Sequence, residues 1–187
     1  MQIKKDDIRN KILDISEKLF IKNGYDNTSL KQISEKSYIS KSNIYRYFSS
    51  KEEIYEILAG PARVSAVAAI EKFSAGDYTG KYTPDKIDEI SEILSEVMSR
   101  HRKGMLIMLN CDGGNDKSFI TQKLCQFFVE GCPLKDEAFK IQVASLLLTG
   151  LIDILLKYED EQEIRYRLKL LFSYHYLGLN GVKASEL

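Results

Sequence analysis

Apolar residues recur at intervals of three and four along most of the chain, the spacing of one face of an α-helix. No segment shows the strict alternation of apolar and polar residues that is typical of a half-buried β-strand. Only three of the 187 residues are proline, so few helices are expected to be interrupted. With 44% hydrophobic and 29% charged residues, the composition is that of a globular protein. The sequence therefore predicts an all-α fold of about nine helices.

The sequence predicts an N-terminal domain of residues 1–53. It begins with a helix of about residues 7–22, and a pair of short helices joined by a tight turn follows over residues 29–48. Thr28 or Ser29 offers the N-cap of the first helix of the pair, and Ser40 that of the second. Four basic residues and no acidic residue occur from Lys36 to Lys51, although the chain as a whole has no net charge. A local patch of this kind is typical of a surface that binds DNA phosphates.

The second helix of the pair is expected to bury Ile44, Tyr45 and Phe48 at least in part, and to present its other side to DNA. Short polar and basic side chains there suit the donors and acceptors of base edges in the major groove. The candidate base-reading residues are Lys41, Ser42, Asn43 and Arg46. The candidate phosphate-binding residues are Thr28, Ser40, Tyr45, Tyr47 and Lys51.

A second, larger helical domain is predicted over residues 54–187, joined to the first by a linking helix of about residues 51–74. Gly60-Pro61 lies inside that helix and predicts a kink or break, which is either a hinge or a static bend. Five further helices are expected, at about 84–99, 102–109, 117–130, 135–158 and 160–178, and the last two form a C-terminal hairpin. The helix of 135–158 carries two apolar stripes, so the hairpin either pairs with its copy in a homodimer or lies at the centre of a monomer core.

The segment from Leu19 to Glu52 resembles the helix-turn-helix of the tetracycline-repressor (TetR) family of transcriptional regulators. That family has a Thr-rich start, an Ile-Ala pair, a Gly-Val turn, and then a Ser/Thr-x-Gly/Ser-x-Leu/Ile-Tyr-x-Tyr/His-Phe-x-Ser/Asn-Lys-Glu pattern. The matching residues here are Phe20, Gly24-Tyr25, Thr28, Ile33-Ser34, Ile39, Ser40, Ser42, Ile44-Tyr45, Tyr47-Phe48 and Ser50-Lys51-Glu52. One residue departs from the pattern: Tyr38 replaces the turn glycine, so a positive φ there would strain the backbone unless the turn differs.

The resemblance implies a function and partners for the whole chain. A regulator of this kind, most often a repressor, binds a palindromic operator in double-stranded DNA as a homodimer through its last two helices, and a small-molecule effector changes the spacing of its DNA-reading heads. The effector is not identified by the sequence. Candidate residues for the lining of an apolar pocket are Met98, Met105, Met108, Cys125, Phe127 and Phe128, with Tyr78, His101 or Asn110 as polar contacts.

Other classes of function have less support in the sequence. No nucleophile–base constellation, phosphate-binding glycine loop or metal-ligand cluster appears, so we predict no enzyme, cofactor or metal site. A catalytic cavity and a helical interaction module without DNA binding remain alternatives. The three cysteines suit a reducing compartment, and the apolar run Ala144–Leu156 is shorter than the ~20 residues that span a bilayer. We therefore expect a cytoplasmic protein with no membrane segment.

Overall fold

The computed structural model describes residues 2–75, 84–109, 117–123 and 136–184. Within these ranges the chain is helical, with short connecting turns and no strand, as predicted. The helices are α1 Gln2–Asn23, α2 Leu30–Ser37, α3 Lys41–Ile44, α4 Lys51–Ala75, α5 Pro84–Arg100, α6 Arg102–Leu109, α7 117–123, α8 Glu137–Lys157 and α9 Glu161–Ala184.

The chain divides into two compact units whose boundary lies within α4. Unit 1 comprises Met1–Arg63 and Lys103–Lys117, and unit 2 comprises Val64–Arg102 and Ser118–Leu187. By packing, unit 1 thus includes the first half of α4 and also α6, in addition to the predicted DNA-binding domain of residues 1–53. The functional boundary placed after residue 53 stays a prediction.

Unit 1 has a core built from the inner faces of its first four helices. Its fully buried apolar side chains come from every one of them: Ile12, Phe20, Ile33, Ile44 and Ile54. The α6 backbone approaches α4 closely, because a Cβ on Gly104 would lie 2.8 Å from the Leu58 carbonyl oxygen. Lys103 of α6 also contacts α1, where its Nζ lies 2.7 Å from a carboxylate oxygen of Glu17. These contacts explain why α6 clusters with the N-terminal helices.

In unit 2, α9 packs against both α5 and α8. Its inner face buries Ile164, Leu168 and Phe172. At the contact with α8, a Cβ on Gly150 would lie 2.9 Å from the terminal carbons of Leu171. The missing side chain of Gly150 therefore makes room for packing within the hairpin of a single chain.

Two helix predictions need correction. Of the kink or break predicted at Gly60-Pro61, the break does not occur, since α4 continues through Pro61 to Ala75, and the kink stays a prediction. Buried alanines on both sides of the proline, Ala59 and Ala62, hold this segment in helical form by packing. The last helix extends to Ala184 rather than ending near residue 178. The part of the predicted helix 117–130 that follows residue 123 and all three cysteines lie outside the described residues.

Among the described helices, α8 alone has the length and composition of a membrane-crossing helix. It has 21 residues, and an apolar window of 18 residues within it has a mean hydropathy of 1.8. This window is longer than the apolar run recognised in the sequence. A core helix of a soluble protein meets the same criteria, and only 33% of the window is buried within one chain.

Candidate nucleic-acid interface

The first helix of the predicted pair, α2, begins at a reciprocal cap. The Gln32 N–H donates to Ser29 Oγ at 3.3 Å, and the Ser29 N–H donates to Gln32 Oε1 at 2.7 Å. Ile33 and Ser37 face the core of unit 1. Of the two predicted N-cap residues, Thr28 and Ser29, it is Ser29 that caps α2.

The turn after α2 keeps the geometry of a glycine turn although it contains a tyrosine. Tyr38 has φ 57° and ψ 30°, in the left-handed region, and its N–H donates to the Ser34 carbonyl. The N–H of Ile39 donates to the same carbonyl at 3.3 Å, which closes the C-terminal motif of α2. For a residue with a Cβ this conformation costs about 1–2 kcal/mol. Tyr38 thus bears backbone strain, and its side chain is 92% exposed.

Helix α3 starts after Ser40, as predicted, with the Asn43 N–H donating to Ser40 Oγ at 3.3 Å. Regular α-helix ends at Ile44, and the next turn contains tighter bonds from the Arg46 N–H to the Asn43 carbonyl and from the Tyr47 N–H to the Ile44 carbonyl. This tightening rotates the following side chains relative to an ideal α-helix. Tyr45 itself keeps an α-helical bond from its N–H to the Lys41 carbonyl and is 55% exposed, which corrects the expectation that it lies on the buried side with Ile44.

The four candidate base-reading residues occupy one short segment that is accessible to solvent. Lys41, Ser42 and Arg46 are exposed, and Asn43 is half-buried. Between Lys36 and Lys51 no acidic residue opposes their charge. The segment is held from below by Ile44, which is fully buried. The result is a rigidly supported surface of positive charge and short hydrogen-bonding groups.

The candidate phosphate-binding residues differ in what their side chains already contact. Tyr45 is exposed and Tyr47 half-buried, so both can reach a ligand on the outer surface. Ser40 is exposed, and its hydroxyl serves as the cap of α3 and lies 3.2 Å from Ser42 Oγ. Thr28, in contrast, is 1% exposed, and its hydroxyl donates to the Gly24 carbonyl at 2.8 Å. The geometry therefore gives Thr28 a structural contact and does not favour the predicted contact with phosphate.

Lys51 is likewise engaged within the protein. Its Nζ donates to the carbonyls of Tyr25 and Thr28, each at 2.9 Å, and lies 3.9 Å from the centroid of the Tyr25 ring. The ammonium group thus joins the start of α4 to the segment that precedes α2. Its phosphate role stays a prediction that competes with this cross-link.

A cluster around Tyr25, which was not predicted from the sequence, joins three parts of unit 1. The Tyr25 hydroxyl donates to Glu52 Oε1 at 2.7 Å, and its ring packs against Phe20 and Tyr55 with centroid distances of 5.4 and 4.8 Å. The hydrogen bond from Tyr25 is the main reason why the pKa of Glu52 is lowered. Gly24-Tyr25 and Lys51-Glu52 were both recognised as parts of the motif, but nothing in their spacing showed that they meet.

The predicted pocket residues are only partly described. Met98 is buried in unit 2, and Met105 and Met108 are buried in unit 1. Cys125, Phe127, Phe128, Tyr78 and Asn110 lie outside the described residues. His101 is half-buried, with its Nε2 3.1 Å from Ser65 Oγ. No group of three or more potential metal ligands occurs in the described part of the chain.

Comparison with known proteins places this surface in a family. Residues 12–58 match the model of the bacterial regulatory proteins of the tetR family. The HTH-type transcriptional regulator QacR of Staphylococcus aureus is 44% identical over 52 residues. That match covers 27% of this chain and 28% of the relative, so the chain matches little more than a quarter of that protein's length.

Solved structures extend the likeness to most of the chain at the level of fold. A TetR-family transcriptional regulator from Bordetella parapertussis matches with a TM-score of 0.58 and 18% identity, covering 91% of this chain and 96% of that one. A member of the same family from Streptomyces coelicolor matches with a TM-score of 0.57 and 20% identity, covering 86% and 89%. The helix-turn-helix carries the sequence similarity to the tetR family of bacterial regulatory proteins, and the described remainder of the chain shares the helical fold of these solved structures.

Proposed function

We propose that this protein is a transcriptional regulator that binds double-stranded DNA with the turn and α3 of unit 1. The observation that carries the proposal is the exposure of Lys41 and Ser42 on α3 and of Arg46 in the turn that follows it, within a stretch of residues 36–51 that contains no acidic residue. In a helix-turn-helix the second helix enters the major groove, and its N-terminal residues contact base edges. Lys41, Ser42 and Arg46 are exposed, so their side chains can reach base edges in the major groove.

Each side chain has a chemical role in this proposal. Arg46 and Lys41 donate to guanine acceptors, and Asn43 pairs with adenine. Ser40, Tyr45 and Tyr47 donate to phosphates and fix the register on the duplex. Thr28 and Lys51 act from beneath, by holding the segment before α2 in place through the contacts to backbone carbonyls.

A homodimer through the last two helices, at about residues 135–158 and 160–178, is supported by the apolar surface that remains exposed on the described part of one chain. Only a third of the apolar window of α8 is buried. The exposed apolar and aromatic residues of α8 and α9 are Ile141, Leu146, Leu156, Tyr166, Leu170, Tyr174 and Leu177. On α9 these residues recur every three or four positions and form one stripe. A second copy covers such a stripe with a self-complementary contact.

A two-fold dimer reads two half-sites, so the operator is proposed to be palindromic, with half-site centres about 34–36 Å apart. The protein is proposed to repress transcription in the cytoplasm and to leave the operator when a small molecule binds. Such release requires that the effector binds more tightly to the conformation that cannot engage both half-sites. The apolar contacts of that effector stay those predicted from the sequence.

The test of base reading is a binding titration at fixed salt with Arg46→Ala. If Arg46 reads a base, the variant loses about 1–3 kcal/mol of binding free energy and relaxes its preference at one operator position. Arg100→Ala is the matched control, because Arg100 is an exposed arginine of unit 2 with a surface ion pair to Glu96. Equal affinity of the Arg46 variant and wild type for the operator would exclude Arg46 from base reading.

The test of the dimer uses a charge placed on the stripe of α9. Leu170→Glu introduces a carboxylate at a side chain that is 47% exposed in the single chain but buried in the proposed dimer. Sedimentation equilibrium is expected to show a monomer, whereas the control Val64→Glu, at a 68% exposed side chain of α4, leaves the dimer intact. A Leu170→Glu variant that sediments as wild type would place the dimer contact elsewhere.

A further inference from the structure

Tyr38 is an unusual residue for the position it holds. It is the one non-glycine residue with positive φ among the residues described. Glycine adopts this conformation without the steric conflict between Cβ and backbone, so tyrosine reduces stability here. A strained residue at a binding surface is a starting point for a functional hypothesis.

No contact within the described protein compensates for this strain. The side chain is 92% exposed, the highest value among the exposed large apolar and aromatic residues of the described ranges. Neither a hydrogen bond nor a ring contact of its phenol is found there. The Tyr38 ring therefore contributes little to folding. A contact with another molecule would account for a strained tyrosine at this position.

The turn places Tyr38 beside the candidate DNA-reading residues. Its own N–H and that of Ile39 both bind the Ser34 carbonyl, so the backbone direction at this point is fixed. Two residues later Ser40 caps α3, and Lys41 and Ser42 follow as exposed side chains. In a helix-turn-helix, the first helix crosses the DNA backbone while the second lies in the groove. The turn between them accordingly lies at the groove edge, where phosphates line the duplex.

We propose that Tyr38 binds the operator by donating a hydrogen bond from its phenol hydroxyl to a phosphate oxygen at the edge of the major groove. This inference rests on the proposed DNA-binding function and adds a contact at the position where the family pattern has glycine. The phenol is a neutral donor. Its contribution should therefore be independent of base sequence and should release no counterion.

The experiment compares Tyr38→Phe and Tyr38→Gly with wild type as full-length protein, by fluorescence anisotropy on a labelled operator duplex obtained by selection from random sequences. Tyr38→Phe keeps the ring and removes only the hydroxyl, and an affinity loss of about tenfold or more is expected. The loss should be similar on operators with single base changes, and the slope of log affinity against log salt should not change. Tyr38→Gly should lose at least as much affinity while unfolding at no lower temperature than wild type, which shows that the loss does not come from misfolding.

The outcomes separate this inference from the function on which it rests. A Phe variant within twofold of wild type overturns the phosphate hydrogen bond, even if the Gly variant binds more weakly. A Gly variant within twofold of wild type overturns any DNA contact by Tyr38. Wild-type protein that does not distinguish the selected duplex from a scrambled one overturns the DNA-binding function and the inference together.

Discussion

Replacing Lys51 by methionine distinguishes a structural cross-link from a phosphate contact. Methionine keeps most of the apolar stem and removes the ammonium group, which donates to the Tyr25 and Thr28 carbonyls at 2.9 Å each. A hydrogen bond from a charged group contributes about 1.5–3 kcal/mol, and the cation–π contact with Tyr25 about 0.5–1 kcal/mol at an accessible site. Since Lys51 is half-buried, we take the lower part of these ranges. With two such hydrogen bonds and the cation–π contact, the free energy of unfolding should fall by about 3–4 kcal/mol.

The assay is urea unfolding followed by circular dichroism, with Lys36→Met as the control. Lys36 is exposed on α2, so its replacement should change the free energy of unfolding by less than about 0.5 kcal/mol. If Lys51 instead binds a phosphate, Lys51→Met should leave stability unchanged and lower the salt slope of DNA binding by about one. Unchanged stability together with that lower slope would refute the structural role of Lys51.

Two further changes test the packing and electrostatics of the fold. Gly104→Ala places a Cβ 2.8 Å from the Leu58 carbonyl oxygen, so thermal unfolding should show a destabilisation of about 1–3 kcal/mol. Gly178→Ala, with no atom within 4 Å of its Cβ, should instead stabilise α9 by about 0.5–1 kcal/mol, and equal effects of the two would contradict the close approach of α6 to α4. The hydrogen bond from Tyr25 lowers the pKa of the Glu52 carboxyl, so the carboxylate binds a proton less tightly in the folded protein than in the unfolded protein. The free energy of unfolding should therefore decrease as the pH falls below 4.5, the ordinary pKa of a glutamate. Glu52→Gln should weaken that decrease in acid unfolding curves, and an unchanged pH dependence would argue against the contact.

The helix boundaries that depend on local chemistry were predictable from the sequence. Ser29 and Ser40 cap α2 and α3 because a hydroxyl can bind the free N–H groups of the first turn, which is a property of a few neighbouring residues. The exposed positions Lys41 and Arg46 followed from the same local register. Sequence similarity within the first 58 residues then gave the family.

The features that depend on contacts between distant residues were not predictable. Pro61 removes one helical hydrogen bond, a local cost, but packing around Ala59 and Ala62 keeps α4 continuous. Thr28 and Lys51 look like surface donors in a linear motif, and only the fold shows that both are bound to carbonyls of the same segment. Their positions in the motif do not reveal these partners.

The central claim, sequence-specific binding of DNA by the turn and α3, is tested most directly by selecting duplexes from a random library with wild-type protein at physiological salt. We predict enrichment of an inverted repeat, bound at least about 1,000-fold more tightly than a scrambled duplex of the same length. The Arg46→Ala protein should lose preference at one symmetric pair of positions in that repeat. Selected duplexes with no shared sequence, bound no better than the scrambled duplex, would contradict the claim.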